Sequence, residues 1–376
     1  MAGIYLHIPF CRKACHYCNF HFSTSFQFKN ELLDALLKEI SLSPGKKEEE
    51  IETIYFGGGT PSILDQQELN NILGQLKKDF RISPNAEITL EANPDDITPA
   101  KAKGWIDAGI NRLSIGIQSF RDEDLQWMNR SHSALQARQA ILDIKSAGFD
   151  NYSIDLIFGT PGLDTDAWMA NIAEALTMGI PHLSCYALTV EPRTALDKMI
   201  SLHKKLAPDP DLQAEQYLVL MKQMEQAGYD HYEISSFSLP GMQSRHNRSY
   251  WQGKKYFGFG PSAHSFDGQS RKWNIAHNID YIKSISENKI PFESELLSPV
   301  QQLNEYIMTS LRTSAGISLN EIRLKWGEES VISLEHLSKQ YIQSGKMAII
   351  NNHLILSREG KLFADGIAAA LFQGEN

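Results

Sequence analysis

From residue 3 to about residue 235 the chain alternates short apolar runs with longer helix-like segments. Each run is rich in β-branched residues and ends in a turn signal, an arrangement typical of βα units around a parallel sheet. Six such units predict an α/β fold, an incomplete (β/α)6 barrel rather than the eight-unit closed form. The predicted strands are Ile4–Ile8, Glu52–Phe56, Glu87–Glu91, Arg112–Ile117, Tyr152–Phe158 and His182–Leu188.

Two further segments follow this first region, residues 1–235. Residues 236–298 are loop-rich and aromatic, and we expect them to bridge the barrel rather than form another βα unit. Residues 299–376 contain three amphipathic helical patterns and then two short strand-like runs, which predicts a small C-terminal α+β winged-helix-like domain. This segment balances seven basic against eight acidic residues, so a DNA-reading wing is not supported. A packing or lid domain is expected.

The first predicted strand is followed by three closely spaced cysteines. Cys11, Cys15 and Cys18 are separated by three and then two residues, and the remaining cysteine, Cys185, lies in an apolar run that predicts a core position. Three thiolates on one loop can bind three irons of an iron–sulfur cube and leave the fourth iron open to a small-molecule ligand. The alternative is a structural zinc site that adds one of the three histidines in residues 7–21, because a Cys₃His set is ordinary for zinc.

Charge and hydropathy narrow the partners of such a site. The net charge of -9 argues against nucleic acid, which is bound through clustered lysine and arginine. No apolar stretch is long enough to span a bilayer, and the N-terminus enters strand-like sequence without the features of a signal peptide. We therefore expect a cytoplasmic, reducing location, where metal binding by the cysteines is favoured over disulfide formation.

Further candidate site residues follow the other predicted strands. Because the βα loops of a barrel open onto one face, these residues are expected at the same rim as the cysteines. They are Gly58, Gly59 and Thr60 after the second strand, Glu91 at the end of the third, Gln118 after the fourth, Asp155 within the fifth and Ala187 near the end of the sixth.

The residue types at this rim suit a polar ligand. The run Gly57–Gly59 lets backbone amides approach a ligand closely, although a tight strand-to-helix turn explains three glycines equally well. Arg130 offers a planar fork to a carboxylate, with solvated surface charge as its alternative. Glu91 and Asp155 can accept hydrogen bonds from hydroxyl or ammonium groups, or they are satisfied structural carboxylates.

Four motifs resemble a known family. The cysteine spacing, with an aromatic residue before the third cysteine, resembles the signature of the radical S-adenosylmethionine (SAM) superfamily. More narrowly, the chain is similar to the group that contains oxygen-independent coproporphyrinogen III dehydrogenase and the heme chaperone HemW family. The motifs are YLHIPFC at 5–11, GGGTPS at 57–62, SIGIQSF at 114–120 and DLIFGTPG at 155–162.

This resemblance implies a radical SAM barrel and its cofactors. It implies a [4Fe-4S] cluster on Cys11, Cys15 and Cys18, with SAM on the fourth iron, so that electron transfer from the reduced cluster could cleave SAM to a 5'-deoxyadenosyl radical. An electron donor such as flavodoxin or ferredoxin is implied as well. The positions implied to contact SAM are Tyr5, Gly58, Gly59, Thr60, Glu91, Gln118, Arg130, Asp155 and Ala187.

Two departures favour a heme chaperone over the dehydrogenase within this group. The dehydrogenase carries a fourth cysteine where this chain has Phe20, and it has a longer segment ahead of the cysteine loop. The run His246–Trp251 resembles the His-Asn-x-x-Tyr-Trp signature of the chaperones and supplies an imidazole, so His246 is the predicted heme ligand, with a solvated surface histidine as the alternative.

The expected function is therefore that of a heme chaperone. We expect the chain to bind heme and to transfer it to an acceptor protein, with peripheral membrane association at delivery. The alternative is radical SAM decarboxylation of coproporphyrinogen III in porphyrin biosynthesis, which would make the chain an oxidoreductase.

Overall fold

The structure is a computed structural model that describes residues 2–43 and 47–374. Within these ranges one twelve-stranded sheet forms the centre of the molecule, and six consecutive parallel strands make up half of it. Each predicted strand is present, which confirms the six βα units. The strands are β1 (Ala2–Ile8), β2 (Glu50–Gly58), β3 (Arg81–Ala92), β4 (Arg112–Gln118), β5 (Tyr152–Phe158) and β6 (His182–Ala187).

Helices cover the outer face of these strands and bury their apolar sides against it. α1 does so with Leu32, Leu36 and Ile40, as its periodicity predicts. Capping boxes start α2 at Asp65 and α5 at Ser133, where the cap side chain accepts a hydrogen bond from a backbone amide of the first turn. The helices are α1 (Lys29–Leu42), α2 (Gln66–Asp79), α3 (Pro99–Ala108), α4 (Asp122–Trp127), α5 (Ala134–Ala147), α6 (Thr165–Thr177), α7 (Ala195–Ser201) and α8 (Pro210–Gln226).

The sheet does not close into a full barrel. β8 pairs antiparallel with β6 at one side, and β9 pairs parallel with β1 at the other. The prediction of an incomplete barrel is thereby confirmed. The elements that follow α8 in the chain are β7 (Asp230–Glu233), β8 (Ser236–Ser238), α9 (Arg245–Trp251), β9 (Lys255–Phe259), β10 (His264–Phe266), β11 (Ser270–Asn274), α10 (Asn278–Ser286) and β12 (Phe292–Leu296).

We call β9–β12 the bridging sheet. The sequence predicted a loop-rich segment here, whereas the structure extends the barrel wall by four strands, in the order β1-β9-β10-β11-β12. β9 forms backbone hydrogen bonds with β1, a strand more than 250 residues earlier in the chain. Local periodicity cannot predict such a distant partner. The boundaries of residues 1–235, 236–298 and 299–376 as separate domains stay a prediction.

The last segment has its own apolar core, which includes Ile307, Leu334 and Leu354. Three helices precede a two-stranded wing, which is the predicted winged-helix-like order. The elements are α11 (Pro299–Leu311), β13 (Ile317–Ser318), α12 (Leu319–Trp326), α13 (Glu328–Gln343), β14 (Met347–Ile350), β15 (His353–Leu356) and α14 (Ala364–Ala370). Among the helices of the described residues, none has the length and apolar character needed to cross a membrane.

Candidate functional site

The cysteine loop leaves the carboxyl end of β1 and is held at both ends by backbone hydrogen bonds. The amide of Cys11 donates to the carbonyl of Ser23 at 3.0 Å, and the amide of Ser23 donates to the carbonyl of Pro9 at 2.8 Å. In the middle of the loop, the amide of His16 donates to the carbonyl of Met128 at 3.1 Å. These bonds fix a loop without regular secondary structure against the rim, so its three cysteines have defined positions.

All three cysteines of this loop are half-buried and line one cavity of about 420 Å³. The hydroxyl of Thr60 donates to Sγ of Cys11 at 3.4 Å, and Nη1 of Arg130 donates to Sγ of Cys15 at 3.3 Å. Burial raises the pKa of Cys11 to about 11, against the opposing hydrogen bond from Thr60. The thiol of Cys11 is therefore protonated at neutral pH in the metal-free protein, and iron must displace this proton on binding.

The arrangement of the cysteines bears on whether they bind a cluster or a single ion. Within residues 2–43 and 47–374, no three His, Cys, Asp or Glu side chains converge as ligands of one metal ion. A zinc site requires four ligands within about 2.3 Å of one point. An iron–sulfur cube takes each cysteine on a different iron, so its ligands lie apart around a cavity. Three half-buried thiols around one cavity are compatible with such a cube, and the metal bound by the cysteines stays a prediction.

The cavity also brings the other predicted rim residues together. Its lining includes the predicted Gly58, Gly59, Thr60, Glu91, Gln118, Arg130, Asp155 and Ala187. Tyr5 is placed differently, since it lies beside the cavity wall with its ring stacked on that of Tyr55 at a centroid distance of 6.1 Å. Cys185 is buried in β6, in the core position that its apolar surroundings predicted.

Glycine is required at the base of this rim for two reasons. Gly58 has φ of +110°, a conformation that residues with a side chain rarely adopt. A Cβ on Gly59 would lie 2.7 Å from the backbone oxygen of Phe10 and 2.8 Å from its nitrogen. The triple glycine is thus a close contact between β2 and the start of the cysteine loop, and the amide of Gly59 donates to the carbonyl of Ile8 at 2.9 Å.

Two partly buried carboxyls, those of Glu91 and Asp155, line the cavity. The hydroxyl of Tyr55 donates to Oε1 of Glu91 at 2.8 Å. Burial raises the pKa of Glu91 to about 8, and the nearby Asp155 raises it further against the Tyr55 bond. Burial likewise raises the pKa of Asp155 to about 6, against opposing contributions from Ser184 and Arg130. A cationic or hydroxyl-bearing ligand in the cavity would stabilise both carboxylates and lower these pKa values.

Arg130 lies between the cysteine loop and β4. Nη2 donates to Oδ1 of Asn93 and to the carbonyl of Gly116, each at 2.8 Å, while Nη1 reaches Cys15. Its Nε is buried and has no hydrogen-bond partner among the described residues. An orphaned donor beside a polar cavity costs about 1–3 kcal/mol unless a ligand satisfies it. This donor and the three thiols fit a cluster together with an anionic small molecule.

Gln118 supplies a further sign of a built site. It is buried at the end of β4 with φ of +66°, which is uncommon for a residue with a side chain. The side-chain amide of Gln118 has no hydrogen-bond partner within the described part of the chain, and Gln118 lines the cavity. Strain of this kind persists only where the surroundings enforce it, and it concentrates at ligand sites.

The predicted heme ligand lies at the opposite end of the barrel from the cysteines. His246 belongs to α9, whose first amides at residues 245 and 246 donate to the carboxylate of Glu87 at 3.0 and 2.9 Å. The imidazole is fully buried, with Nδ1 bonded to Thr53 and Nε2 bonded to Tyr250, each at 2.8 Å. The surface alternative for this residue is wrong, because α9 closes the floor of the cavity. Ligation of heme by His246 stays a prediction and would require the bond at the ligating nitrogen, to Thr53 or to Tyr250, to open.

Several residues of the site were missed by sequence reasoning. Tyr55 orients Glu91, Asn93 holds Arg130 and Thr60, and Glu87 caps α9. Tyr55 lies two residues before Gly57 on β2, and Glu87 lies four residues before Glu91 on β3. Because side chains on one face of a strand recur every two residues, this period could have identified both. Asn93 follows β3 at the rim, where the βα-loop argument applied equally to it.

The chain is similar to known proteins along its whole length. Residues 5–187 match the radical SAM superfamily model, and residues 297–363 match the HemN C-terminal domain model. A heme chaperone HemW of Bacillus subtilis (strain 168) is 33% identical over 100% of both chains. The heme chaperone HemW of Synechocystis sp. is 36% identical over 84% of this chain and 78% of its own. A mitochondrial radical S-adenosyl methionine domain-containing protein 1 from Danio rerio is 30% identical over 97% of this chain and 86% of its own.

A solved structure gives the same fold. Coproporphyrinogen III oxidase (HemN) from Escherichia coli, a radical SAM enzyme, superimposes with a TM-score of 0.85, over 99% of this chain and 90% of that one. The two sequences are 21% identical, so this likeness shows the fold alone.

Proposed function

The chain belongs to the heme chaperone HemW family of the radical SAM superfamily, and on that premise we propose that it binds heme and transfers it to an acceptor protein. The observation that carries the proposal is similarity to proteins named heme chaperones over the full length of the chain. Phe20 supports it, since the cysteine loop carries this exposed aromatic residue where the dehydrogenase has a fourth cysteine. Delivery to an acceptor at a membrane surface is part of the proposal.

The radical SAM superfamily implies a [4Fe-4S] cluster and SAM. In the proposed site Cys11, Cys15 and Cys18 bind the cluster, and SAM contacts Tyr5, Gly58, Gly59, Thr60, Glu91, Gln118, Arg130, Asp155 and Ala187. When both are bound, they supply one-electron reductive cleavage of SAM, with flavodoxin or ferredoxin as the class of donor.

The residues of the chain have distinct tasks in this proposal. Arg130 holds the cysteine loop on Cys15 and directs its free Nε toward a ligand carboxylate. Glu91 and Asp155 exchange protons with the solvent as a ligand binds, because their pKa values of about 8 and about 6 lie near neutrality. Phe20 lies beside the cavity, and its side chain is 67% exposed. When a bound ligand covers this apolar ring, Phe20 limits the access of water to the cavity.

The test uses the full chain after anaerobic reconstitution with iron and sulfide. Hemin is added, and the Soret band reports binding. The heme-loaded protein is then mixed with heme-depleted membranes, and heme is measured in the membrane fraction. We expect near-stoichiometric binding and transfer that is faster than from serum albumin loaded with the same amount of hemin. No Soret shift, or no transfer above the albumin control, would rule out the chaperone.

The same preparation distinguishes the enzymatic alternative. Coproporphyrinogen III, SAM and a reductant are added under anaerobic conditions, and protoporphyrinogen is measured by oxidation and fluorescence. Sustained turnover would replace the chaperone with a decarboxylating oxidoreductase. We expect SAM cleavage without this product.

A further inference from the structure

α7 and the turn after it pack beside the cysteine loop through a small apolar cluster of their own. Leu196 of α7 belongs to this cluster, which is separate from the barrel core, and Ile200, Tyr17 and Trp127 pack against it. A backbone bond joins the same parts, since the amide of Leu196 donates to the carbonyl of His16 at 2.8 Å. α7 and its turn therefore form one continuous surface with the cysteine loop.

The turn after α7 brings a lysine against the cysteine loop. Backbone bonds to the carbonyl of Met199 fold the turn back onto the helix. Nζ of Lys205 donates to the carbonyl of Trp127 and lies 4.0 Å from the centre of its ring. Nδ1 of His16 donates to that same carbonyl at 3.1 Å. The ammonium of Lys205 thus shares one hydrogen-bond acceptor with the residue that follows Cys15.

This surface is basic, although the chain as a whole is acidic. Residues 11–20 and 192–206 together contain six lysine or arginine residues and one acidic residue, a net charge of +5, whereas the whole chain carries -9. Within the described residues, no carboxylate lies within 4.0 Å of the ammonium groups of Lys198, Lys204 or Lys205. These three positive charges are available to an acidic partner.

Two leucines lie exposed among these lysines. The side chains of Leu202 and Leu206 are 54% and 76% exposed. An apolar centre bordered by polar and charged side chains is typical of a protein–protein interface. We call Lys198, Leu202, Lys204, Lys205 and Leu206 the α7 surface. None of these five residues lines the cavity, so a protein can dock on them while the cavity stays open to a small ligand.

We propose that the α7 surface docks a small acidic protein that donates electrons to the cluster. This inference rests on the proposed function, in which Cys11, Cys15 and Cys18 bind a [4Fe-4S] cluster. One electron leaves the donor, which is oxidised, and reduces the cluster. The donor must approach the cysteine loop closely, and complementary charge speeds the encounter and fixes its orientation. Electron-transfer complexes bury little surface, which suits a patch of five side chains.

A membrane that contains anionic lipid would also attract three lysines and two leucines. A membrane contact requires no particular distance from the cysteines. Lys205, in contrast, is joined through the carbonyl of Trp127 to His16 of the cysteine loop. The position of the α7 surface therefore favours the electron donor.

The experiment mixes the full-length, reconstituted protein with a reduced flavodoxin of acidic net charge and follows reduction of the cluster by stopped-flow absorbance. Lys198→Glu/Lys204→Glu reverses two charges of the α7 surface. Lys77→Glu/Lys78→Glu is the matched control, since these exposed lysines end α2 just before the start of β3, at the end of the barrel away from the cysteines. At low ionic strength we expect the rate to fall about tenfold in the first variant and to stay unchanged in the control. The difference should shrink as salt is added.

Two further measurements separate docking from damage to the cluster. Dithionite is a small reductant that requires no docking surface, so it should reduce the cluster of Lys198→Glu/Lys204→Glu to the same extent as that of the unaltered protein. Calorimetric titration with oxidised flavodoxin should show affinity about tenfold weaker in this variant, independently of any electron transfer. If the charge-reversed variant lost iron, the neutral Lys198→Gln/Lys204→Gln would take its place, with a smaller decrease in rate expected.

Other results would overturn the proposal. An unchanged rate in Lys198→Glu/Lys204→Glu at low ionic strength, or a rate of the unaltered protein that is independent of salt, would remove the α7 surface as the docking site. If this variant lost only its sedimentation with phosphatidylglycerol vesicles, the surface would be a membrane contact. Each of these results leaves heme binding intact. A failure of the unaltered protein to bind hemin would overturn the chaperone alone, because reduction of the cluster is measured without heme.

Discussion

Cys11, Cys15 and Cys18 differ from Cys185 in what surrounds each thiol. The first three are half-buried around one cavity with Arg130 and Thr60 as neighbours, whereas Cys185 is fully enclosed in apolar β6. Spacing alone predicted this division, because a short loop after a strand can expose several thiols and a strand interior cannot.

Replacing any one loop cysteine by alanine is expected to abolish most cluster assembly. Each thiolate binds a different iron, so loss of one leaves a second iron of the cube without a protein ligand. Iron and sulfide content and visible absorbance after anaerobic reconstitution measure this. Cys185→Ala is the control and should keep its full iron content. Iron retained at wild-type level in Cys15→Ala would mean that the cluster is held elsewhere.

Arg130→Lys is expected to weaken SAM binding at least tenfold, which is about 1.4 kcal/mol. A single ammonium cannot replace a planar fork that contacts Cys15, Asn93 and Gly116 at once. Calorimetric titration of SAM into the reconstituted protein gives the affinity. Arg138→Lys, an ion-paired arginine on the outer helix α5, serves as the control and should bind SAM normally. Equal affinity in the two variants would show that the fork of Arg130 contributes nothing to the site.

At the scale of the elements, the periodicity of the sequence predicted the strands and helices that depend on local residues. The six strands and the buried face of α1 follow from two-residue and 3.6-residue periodicity. The bridging sheet does not, since β9 is specified by a partner strand far away in sequence. The cysteine, glycine and strand-end residues of the cavity were predictable from βα topology, whereas the burial of His246 was not, because α9 becomes a floor only once the barrel exists.

Gly59→Ala tests the contact between β2 and the cysteine loop. A Cβ at this position would overlap the backbone of Phe10, so the loop must shift, at a cost of about 1–3 kcal/mol. We expect a lower free energy of unfolding and reduced cluster content. Gly74→Ala in α2 is the matched control, since a Cβ there meets nothing within 4 Å and should stabilise the helix by about 0.5–1 kcal/mol. A variant at Gly59 with normal cluster content would contradict the close packing.

Glu39 of α1 holds residues 260–281 onto the barrel. Its carboxyl accepts hydrogen bonds from Tyr281 at 2.6 Å, Asn274 at 2.6 Å and the amide of Gly260 at 2.8 Å. Burial raises its pKa from 4.5 to about 7, although these three bonds oppose the rise. Because its pKa is raised, Glu39 binds its proton more tightly in the folded than in the unfolded chain. Protonation of Glu39 therefore contributes fully to the free energy of unfolding below about pH 4.5, and this contribution is lost as the pH rises through about 7.

Glu39→Gln should therefore flatten the pH dependence of stability. Between pH 4.5 and 7.5 the wild type is expected to lose about 3 kcal/mol relative to this variant, given 1.36 kcal/mol per pKa unit. Urea unfolding at intervals across this range gives both curves. Glu31→Gln, which removes an exposed carboxyl from the same helix, should track the wild type. Parallel curves for wild type and Glu39→Gln would mean that the Glu39 carboxylate is already stable when buried.

At the scale of the whole molecule, one side chain joins two apolar cores. Ile234, between β7 and β8, packs against both the barrel core and the core of residues 303–371. Backbone bonds reinforce the junction, since the amide of Ile234 donates to the carbonyl of Arg312 at 2.8 Å and the amide of Ser314 donates to that of Tyr232 at 3.0 Å. Arg312 also lies over the ring of Trp251 in the floor helix at 5.2 Å. The C-terminal module is thereby tied to the element that closes the cavity.

Ile234→Ala is expected to separate the unfolding of the two cores. Removing this side chain deletes the apolar contact that both cores share and costs about 2 kcal/mol, less than a fully buried isoleucine because Ile234 is only partly covered. Calorimetry should show one cooperative transition in the wild type and an earlier, separate transition of the C-terminal module in the variant. Ile332→Ala, at a 59% exposed position on α13, is the control and should keep a single transition. A single unshifted transition in Ile234→Ala would mean that the other contacts between the two parts, among them the backbone bonds at Arg312 and Ser314 and the packing of Leu362, suffice to couple the cores.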